Sequence, residues 1–466
     1  MQKLMSPKSV ALIGISRKSG PGSFNLMENM IQFGFDGEIY PVNPNAGEIL
    51  GRRSYPNVKA VHKNIDLAVI TSPRETSLGI LEDCVAANIK SAIVVNQGFT
   101  DADRRGREMQ QQMAQIAGTK GIRILGPNTL GIINSFNNFT TSFMPVAKTR
   151  VPVGLICQSG IHMVGPRQLC GSIGKGIDLG NACDIGFYDA LKYFGEDPDI
   201  KIIAIHIEGL NQANDFLSLS GSVVKKKPIV VHKSGSSRTG ARAAMSHTGS
   251  IAGNFQLLKA ALQQKGVTFL KEGGLMPYAI ETLLNLPLMK GNRVGVITFS
   301  GGAGIMVSDG LERHRMQLAP LSHETTKQVA KLSPDWMPLG NPLDIWPAVM
   351  LHGARKAYTA ALKAVLNDSG VDGVICIAIA PLPEYSFLNV ADTLNEVVRE
   401  FPPEKPVIGW IYGPNTEAVK DRFEAERRIM IYPTLEIATW ALSLLRDRHK
   451  VLQRIGFKTA PAAHKP

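Results

Sequence analysis

Short, β-branched apolar runs alternate with helix-like segments along nearly the whole chain, and that alternation restricts the fold more than any other feature. The runs SVALIGI (9–15), DLAVIT (66–71) and SAIVV (91–95) are apolar without a polar face. They read as strands buried on both sides. Residues 23–34, 74–88 and 101–118 read as the intervening helices. Strands that alternate with helices imply a parallel sheet joined by right-handed crossovers, and thus an α/β, Rossmann-like first domain.

The pattern restarts twice. VPVGLICQSG (151–160), KIIAIHIEG (201–209) and PIVVHKSG (228–235) form a second set of strands. RVGVITFSGGAG (293–304), VDGVICIAIA (371–380) and PVIGWIYG (406–413) form a third, which ends in a helix near 435–452. Both sets open with a buried strand, a Ser-Gly turn and a helix start, a weak internal repeat. Both are expected to be flavodoxin-like, with the turn at the carboxyl edge where open α/β sheets bind ligands. Pro- and Gly-marked breaks near 146–152 and 285–292 divide the 466 residues into 1–146, 147–288 and 289–466, with a frayed tail at 458–466. Three domains suit this length.

Charge and cysteine usage exclude some classes. Lys+Arg 51 against Asp+Glu 39 leaves a net charge of +12, which favours anionic partners. Aromatics are only 6% and do not interleave with basic clusters, so phosphorylated small molecules are expected rather than nucleic acid. The cysteines, Cys84, Cys157, Cys170, Cys183 and Cys376, are odd in number and lack metal or redox spacing. They read as reduced thiols of a cytoplasmic protein. No signal peptide precedes the strand at Ser9, and no apolar run is long enough for a membrane span.

Three glycine-led turns are candidate anion sites. The first, GISRKSGPGS after the first strand, is not a clean dinucleotide fingerprint, and the second strand ends in Asn43-Pro44 without an acidic residue. Both facts count against NAD. That turn is open to two readings, a phosphate cradle or a ligand-free tight turn. Ser159-Gly160 and Ser300-Gly301-Gly302 are the other two. Glycine permits close approach, and a helix start favours an anion. KSGSSRTGARAAMSHTGSIAG (233–253) is a long polar stretch between a strand and a helix, with His247 at its centre. Connections of this length are usually functional or disordered. Glu208 ends a buried strand. It could orient an imidazole or merely serve the next helix start. No Walker loop, HExxH or GxSxG is present, and no metal site is expected.

Together, PKSVALIGIS, YPVNP, GPN with LGIIN, QSG, LGN, IEG, GARAAMSHTGSIAG, SGGAG and GNPLD resemble the alpha subunit of ADP-forming acetyl-CoA synthetases, in the succinyl-CoA synthetase superfamily. The resemblance runs from Ser6 to about Leu452. It implies that the first domain binds CoA through Ser16, Arg17, Ser23, Asn43, Ser72, Pro73, Asn96, Gln97, Gly98 and Asn128. It implies a phosphohistidine at His247 with Glu208 as its orienting carboxylate, and phosphate contacts from Ser159, Gly160, Ser300, Gly301 and Gly302. Asn181, Asp184, Asn341 and Asp344 would shape the substrate site. The implied reaction interconverts acyl-CoA, NDP and phosphate with acid, CoA and NTP. It uses Mg-ATP or Mg-ADP bound by an ATP-grasp beta subunit, in a cytoplasmic hetero-oligomer that needs neither NAD nor a membrane.

The chain departs from the family at Thr129, where Cys is frequent, at Ile161-His162, where small residues are usual, and at Cys183. Ile161, His162 and Cys183 are expected to lie near the acyl pocket and to alter the acid used, or else to reflect drift in packing. Two other readings compete: a CoA-binding regulatory protein without catalysis, and a phosphohistidine ligase or lyase for an unusual acid. Retention of both His247 and Glu208 counts against the first.

Overall fold

The computed structural model describes residues 1–237, 239–240, 242 and 255–456, so His247 and the 458–466 tail lie outside the described residues. The chain forms two compact units, Met1–Ile280 and the remainder from Glu281.

The first unit begins with β1 (Ser9–Ile13), β2 (Glu38–Val42), a hairpin of β3 (Glu48–Ile49) and β4 (Arg52–Arg53), then β5 (Leu67–Ile70), β6 (Ser91–Val94) and β7 (Arg123–Leu125). Its sheet runs β2-β1-β5-β6-β7, and every neighbouring pair is parallel. All residues of β1, β5 and β6 are buried, as their unbroken apolar character requires. Helices Leu26–Phe33 and Ser77–Ala86 fall in their expected segments, and Arg104–Lys120 overlaps the third and runs two residues past its end. Asn25 and Asp103 cap the first and third by accepting the amides of Glu28 and Gly106.

The second sheet comprises β8 (Ile132–Asn134), β9 (Phe139–Thr140), β10 (Val153–Cys157), β11 (Lys175–Asp178), β12 (Ile202–Ile207), β13 (Ile229–Lys233) and β14 (Thr268–Leu270). Its order is β14-β13-β12-β10-β11-β8-β9. Five strands are parallel, whereas β8 pairs antiparallel with β11 and with β9. The strands named from the sequence in this sheet are all parallel, and the antiparallel edge is formed by strands that were not named. Two strands of two or three residues, joined by a short turn, carry too little pattern to be read as a hairpin.

The second unit holds β15 (Arg293–Thr298), β16 (Gln317–Leu318), β17 (Leu343–Asp344), β18 (Gly373–Ile379), β19 (Val407–Tyr412) and β20 (Ile429–Tyr432). The order is β16-β15-β18-β19-β20, with β17 beside β15, and all pairs are parallel. The helix expected near 435–452 spans Leu435–Arg454. In each sheet the candidate residues gather just beyond the carboxyl ends of the strands, where helix starts and strand ends leave a crevice.

Candidate active site

The turn after β1 is built by one buried side chain. Asn25 Nδ2 donates to the carbonyls of Ser16 (3.0 Å) and Lys18 (2.7 Å), and its Oδ1 accepts the Glu28 amide (3.2 Å). Ser16 and Arg17 stand exposed on this turn, and the Ser23 amide closes it on Gly20 O at 3.1 Å. Behind it lies a cavity of ≈ 490 Å³, lined by Gly14, Asn43, Asn57, Ser72, Pro73 and Asp83 among others. Asn43 Nδ2 donates to Ile15 O at 2.9 Å and holds β2 against the β1 turn. Gly14 has φ +83°, and a β-carbon there would lie 2.3 Å from Ser72 Oγ. Only glycine fits this contact.

Pro73 also lines a second cavity of ≈ 500 Å³, with Asn96, Gln97, Asn128, Leu130, Phe143, Gln158, Ser159, Gly160, Asp178 and Asn181. Gly98 has φ +105°; its carbonyl accepts from Arg74, and its amide donates to Asp101. Asn128 Nδ2 donates to Asn181 Oδ1 at 3.3 Å, and Asn181 Nδ2 donates to Asp101 Oδ1 at 2.7 Å. A β-carbon on Gly160 would meet Leu130 Cδ1 at 2.3 Å and Asp178 Oδ2 at 3.5 Å, so the turn lies directly on the cavity floor.

Asp178 is the carboxylate that sequence reasoning missed. It ends β11 and is 2% exposed. Burial raises its pKa to about 6, opposed by the Leu130 and Gly180 amides and reinforced by Glu208. A carboxyl poised there can exchange a proton with a thiol or phosphate bound in the cavity. Its strand, KGID, lacks the apolar run that marks β12, so Asp178 carries a weaker sequence signal than Glu208.

Glu208 itself lies just past β12 and is buried. Its amide and that of Gly209 both donate to Gln158 Oε1 at 2.8 Å, and Lys233 Nζ donates to its carbonyl at 2.8 Å. The helix that follows, Ala213–Val223, takes Gln212 as its N-cap, so Glu208 does not cap it. Gln158 and buried Lys233, neither singled out from sequence, thus fix the strand ends around the turn.

Beneath the turn lie three imidazoles. His162 stacks on His206 with ring centroids 4.0 Å apart, and His206 lies 5.9 Å from His232. Burial lowers all three pKa values, His162 to about 4. The unfolded chain then binds more protons than the folded one between that value and the ordinary 6.5. The stabilising contribution is therefore complete above pH 6.5 and lost as pH falls towards 4. Denaturant midpoints measured across this window should fall further for the wild type than for His162→Asn, a difference that also includes His206, whose pKa the neighbouring His162 helps to lower.

Residues 8–135 match the model of a CoA binding domain, and residues 150–283 that of the succinyl-CoA ligase like flavodoxin domain. The alpha subunit of acetate–CoA ligase [ADP-forming] I from Pyrococcus furiosus is 33% identical over 459 residues, covering 96% of this chain and 97% of that subunit. The chain belongs to the ADP-forming acetate–CoA ligase family, as an alpha-type chain. Acetate–CoA ligase [ADP-forming] II from Archaeoglobus fulgidus is 36% identical over 390 residues; the match covers 80% of this chain but 56% of that protein. The chain thus spans about half the length of this longer relative. Its fold matches dinucleotide forming acetyl-coenzyme A synthetase 1 of Ca. Korarchaeum cryptofilum, solved in complex with phosphate and ADP. The TM-score is 0.86 at 29% identity, over 97% of this chain and 98% of that one.

Several residues expected in the ligase substrate site have other work. Asp184 takes a two-point contact from Arg123 Nε and accepts the Ile124 amide at 2.8 Å. It does not line the cavity; Asn181 does. Asp184→Ala is expected to cost about 1–2 kcal/mol, read by urea unfolding, and to leave KM values within about twofold. Asn341 spends its amide on the Val294 and Ala319 carbonyls and its oxygen on the Val296 amide, so it staples the GNPLD turn to β15.

The departures from the family pattern also resolve. Thr129 lines the cavity, but its hydroxyl donates to Asp178 O and accepts the Gly131 amide, so it is spent on the backbone. Ile161 is 62% exposed and absent from the cavity lining. Cys183 packs on the core of the first sheet, where burial pushes its thiol up to about 12. Neither Ile161 nor Cys183 lines the cavity that ends on Gly160.

In the second unit, Ser300 precedes the helix Gly301–Arg313. Its amide donates to Thr298 Oγ1 at 2.9 Å, and its carbonyl accepts the same hydroxyl at 2.7 Å. Asp344 Oδ2 would lie 3.2 Å from a β-carbon on Gly301, which brings a carboxylate to that helix start, while Gly302 has open space except towards Ser300. Among the described residues no group of three or more His, Cys, Asp or Glu is arranged for a metal. No described helix is long and apolar enough to cross a membrane.

Proposed function

We propose that this chain is the CoA- and phosphate-handling subunit of an NDP-forming acyl-CoA ligase. The reaction interconverts acyl-CoA, NDP and phosphate with a carboxylic acid, CoA and NTP. Phosphate attacks the thioester to give an acyl phosphate and free CoA. His247 takes the phosphoryl group, the acid leaves, and the phosphohistidine passes its group to the nucleotide. The observation that carries this reading is the pair of cavities that share Pro73. One lies under the β1 turn, and the other ends on Ser159-Gly160 beside Asp178. Each volume suits a small-molecule ligand. A long ligand with a phosphorylated head and a reactive tail fits two adjoining cavities better than one.

In this reading the head of CoA lies by Ser16, Arg17, Ser23, Asn43 and Ser72. Its thiol end lies by Asn96, Gln97, Gly98 and Asn128. Backbone amides at Ser159-Gly160 receive phosphoryl oxygens, for fixed dipoles are what a transferring phosphoryl group needs, and Ser300-Gly301-Gly302 offers a helix start of the same kind within the second unit. Glu208 orients His247, while Asn181 borders the reacting groups in the first unit. Mg-ATP or Mg-ADP binds to an ATP-grasp partner, and NAD plays no part. The Pyrococcus relative is itself named a subunit alpha, which supports a partner chain.

Isothermal titration of the chain alone is expected to show binding of CoA and none of NAD. Acyl-CoA, ADP and phosphate should yield ATP only when the partner is added. ATP formation by the purified chain alone would overturn the division of labour.

A further inference from the structure

The turn that leaves β10 and the segment that leaves β13 meet at the column of imidazoles. His206 and His232 are register partners on β12 and β13. His206 Nε2 lies 2.7 Å from Ser234 Oγ, on the residue immediately after β13. His162 Nδ1 lies 3.3 Å from Ser159 O, and the His162 amide donates to the same oxygen at 3.2 Å. A carbonyl only accepts, so the His162 ring carries its proton on Nδ1.

That contact constrains the turn. In a planar trans peptide the C=O and N–H point in opposite directions. Two donors from His162 hold the Ser159 carbonyl, and the Gly160 N–H of the same peptide is turned the other way. Gly160 lines the cavity. The stack also has a cost that packing alone does not explain. His206 Nδ1 is buried without a partner among the described residues. Apolar side chains would fill this space without such a burial penalty.

We propose that His162 is a positioning residue for the Ser159–Gly160 turn. Its stack on His206, tied in turn to Ser234, couples that turn to the root of the segment that bears His247. The proposal rests on the reading of this turn as the phosphate site. When phosphate occupies the turn, a shift of the Ser159–Gly160 peptide passes through two ring faces and one hydrogen bond to Ser234. The turn and residues 233–235 then respond together.

Two variants separate positioning from packing. His162→Leu keeps the bulk and removes the donor. His162→Asn places an amide N–H where Nδ1 stands. Both are to be assayed as full chains assembled with the partner subunit, varying inorganic phosphate and acyl-CoA. Hydrogen exchange of the free chains is followed at residues 159–162 and 233–235. The leucine variant is expected to raise KM for phosphate about tenfold, the loss of one fixed hydrogen bond. KM for acyl-CoA should hold, and exchange should quicken at both segments. Asparagine should restore most of each change. His206→Leu breaks the tie to Ser234 and is expected to quicken exchange at both segments as well. Unchanged exchange at 233–235 in both leucine variants would overturn the proposal, as would equal impairment by leucine and asparagine. A wild-type complex that turns over without phosphate would instead overturn the functional reading. The exchange comparison needs no turnover and would still decide whether His162 holds the two segments together.

Discussion

His247→Ala is expected to lower ATP formation by the assembled enzyme about 10³-fold or more, with CoA affinity unchanged. The size follows from the role. A covalent relay splits one transfer between two sites into two short transfers, and alanine removes the nucleophile that carries the phosphoryl group. The sparing of CoA follows from position. The residues assigned to CoA lie on the turn after β1, at Asn43 and Ser72, and around Asn96 and Asn128. Steady-state kinetics paired with calorimetric CoA titration checks both halves. Loss of CoA binding together with turnover would mean that the substitution disturbs the fold rather than the relay.

Gly14→Ala should abolish CoA binding, with an affinity loss of at least about 100-fold, and should destabilise the first unit by about 3 kcal/mol. Two effects add. The residue holds φ +83°, which an L side chain rarely adopts, and its new methyl would lie 2.3 Å from Ser72 Oγ and 2.7 Å from the Ser72 amide nitrogen. The Ser72 backbone cannot retreat easily, because Thr71 N donates to Ile13 O in the ladder beside it. The methyl therefore pushes the β1 turn and the Ser72-Pro73 turn apart, and these line one cavity. Thermal unfolding and calorimetry measure the two effects separately. Wild-type CoA affinity in the variant would remove this cavity from the CoA site.

Much of the architecture was legible because buried parallel strands must be apolar on both faces, and the three sets of runs stood out between helices. Residues whose meaning depends on register were not legible. His206 and His232 each look like ordinary strand residues; only pairing across β12 and β13 brings them beneath the Ser159-Gly160 turn with His162. Asn341 reads equally well as a ligand or as a staple until its three main-chain partners are known. Asp178 and Asp184 lie six residues apart around one glycine turn. The strand end points the first into the cavity floor, while Arg123 claims the second. Gln158 was hidden in a motif read for its Ser and Gly alone. Its role emerges only when β12 delivers two adjacent amides to its oxygen.

The measurement that bears most directly on the central claim is the site of the phosphoryl group. The assembled enzyme, treated with Mg-ATP and digested at neutral to basic pH, should carry an acid-labile phosphoryl group on His247, found by mass spectrometry. That group should disappear on addition of CoA and the correct acid. A partner that binds nucleotide, a chain that binds CoA, and no phosphoryl group on His247 would together contradict the account.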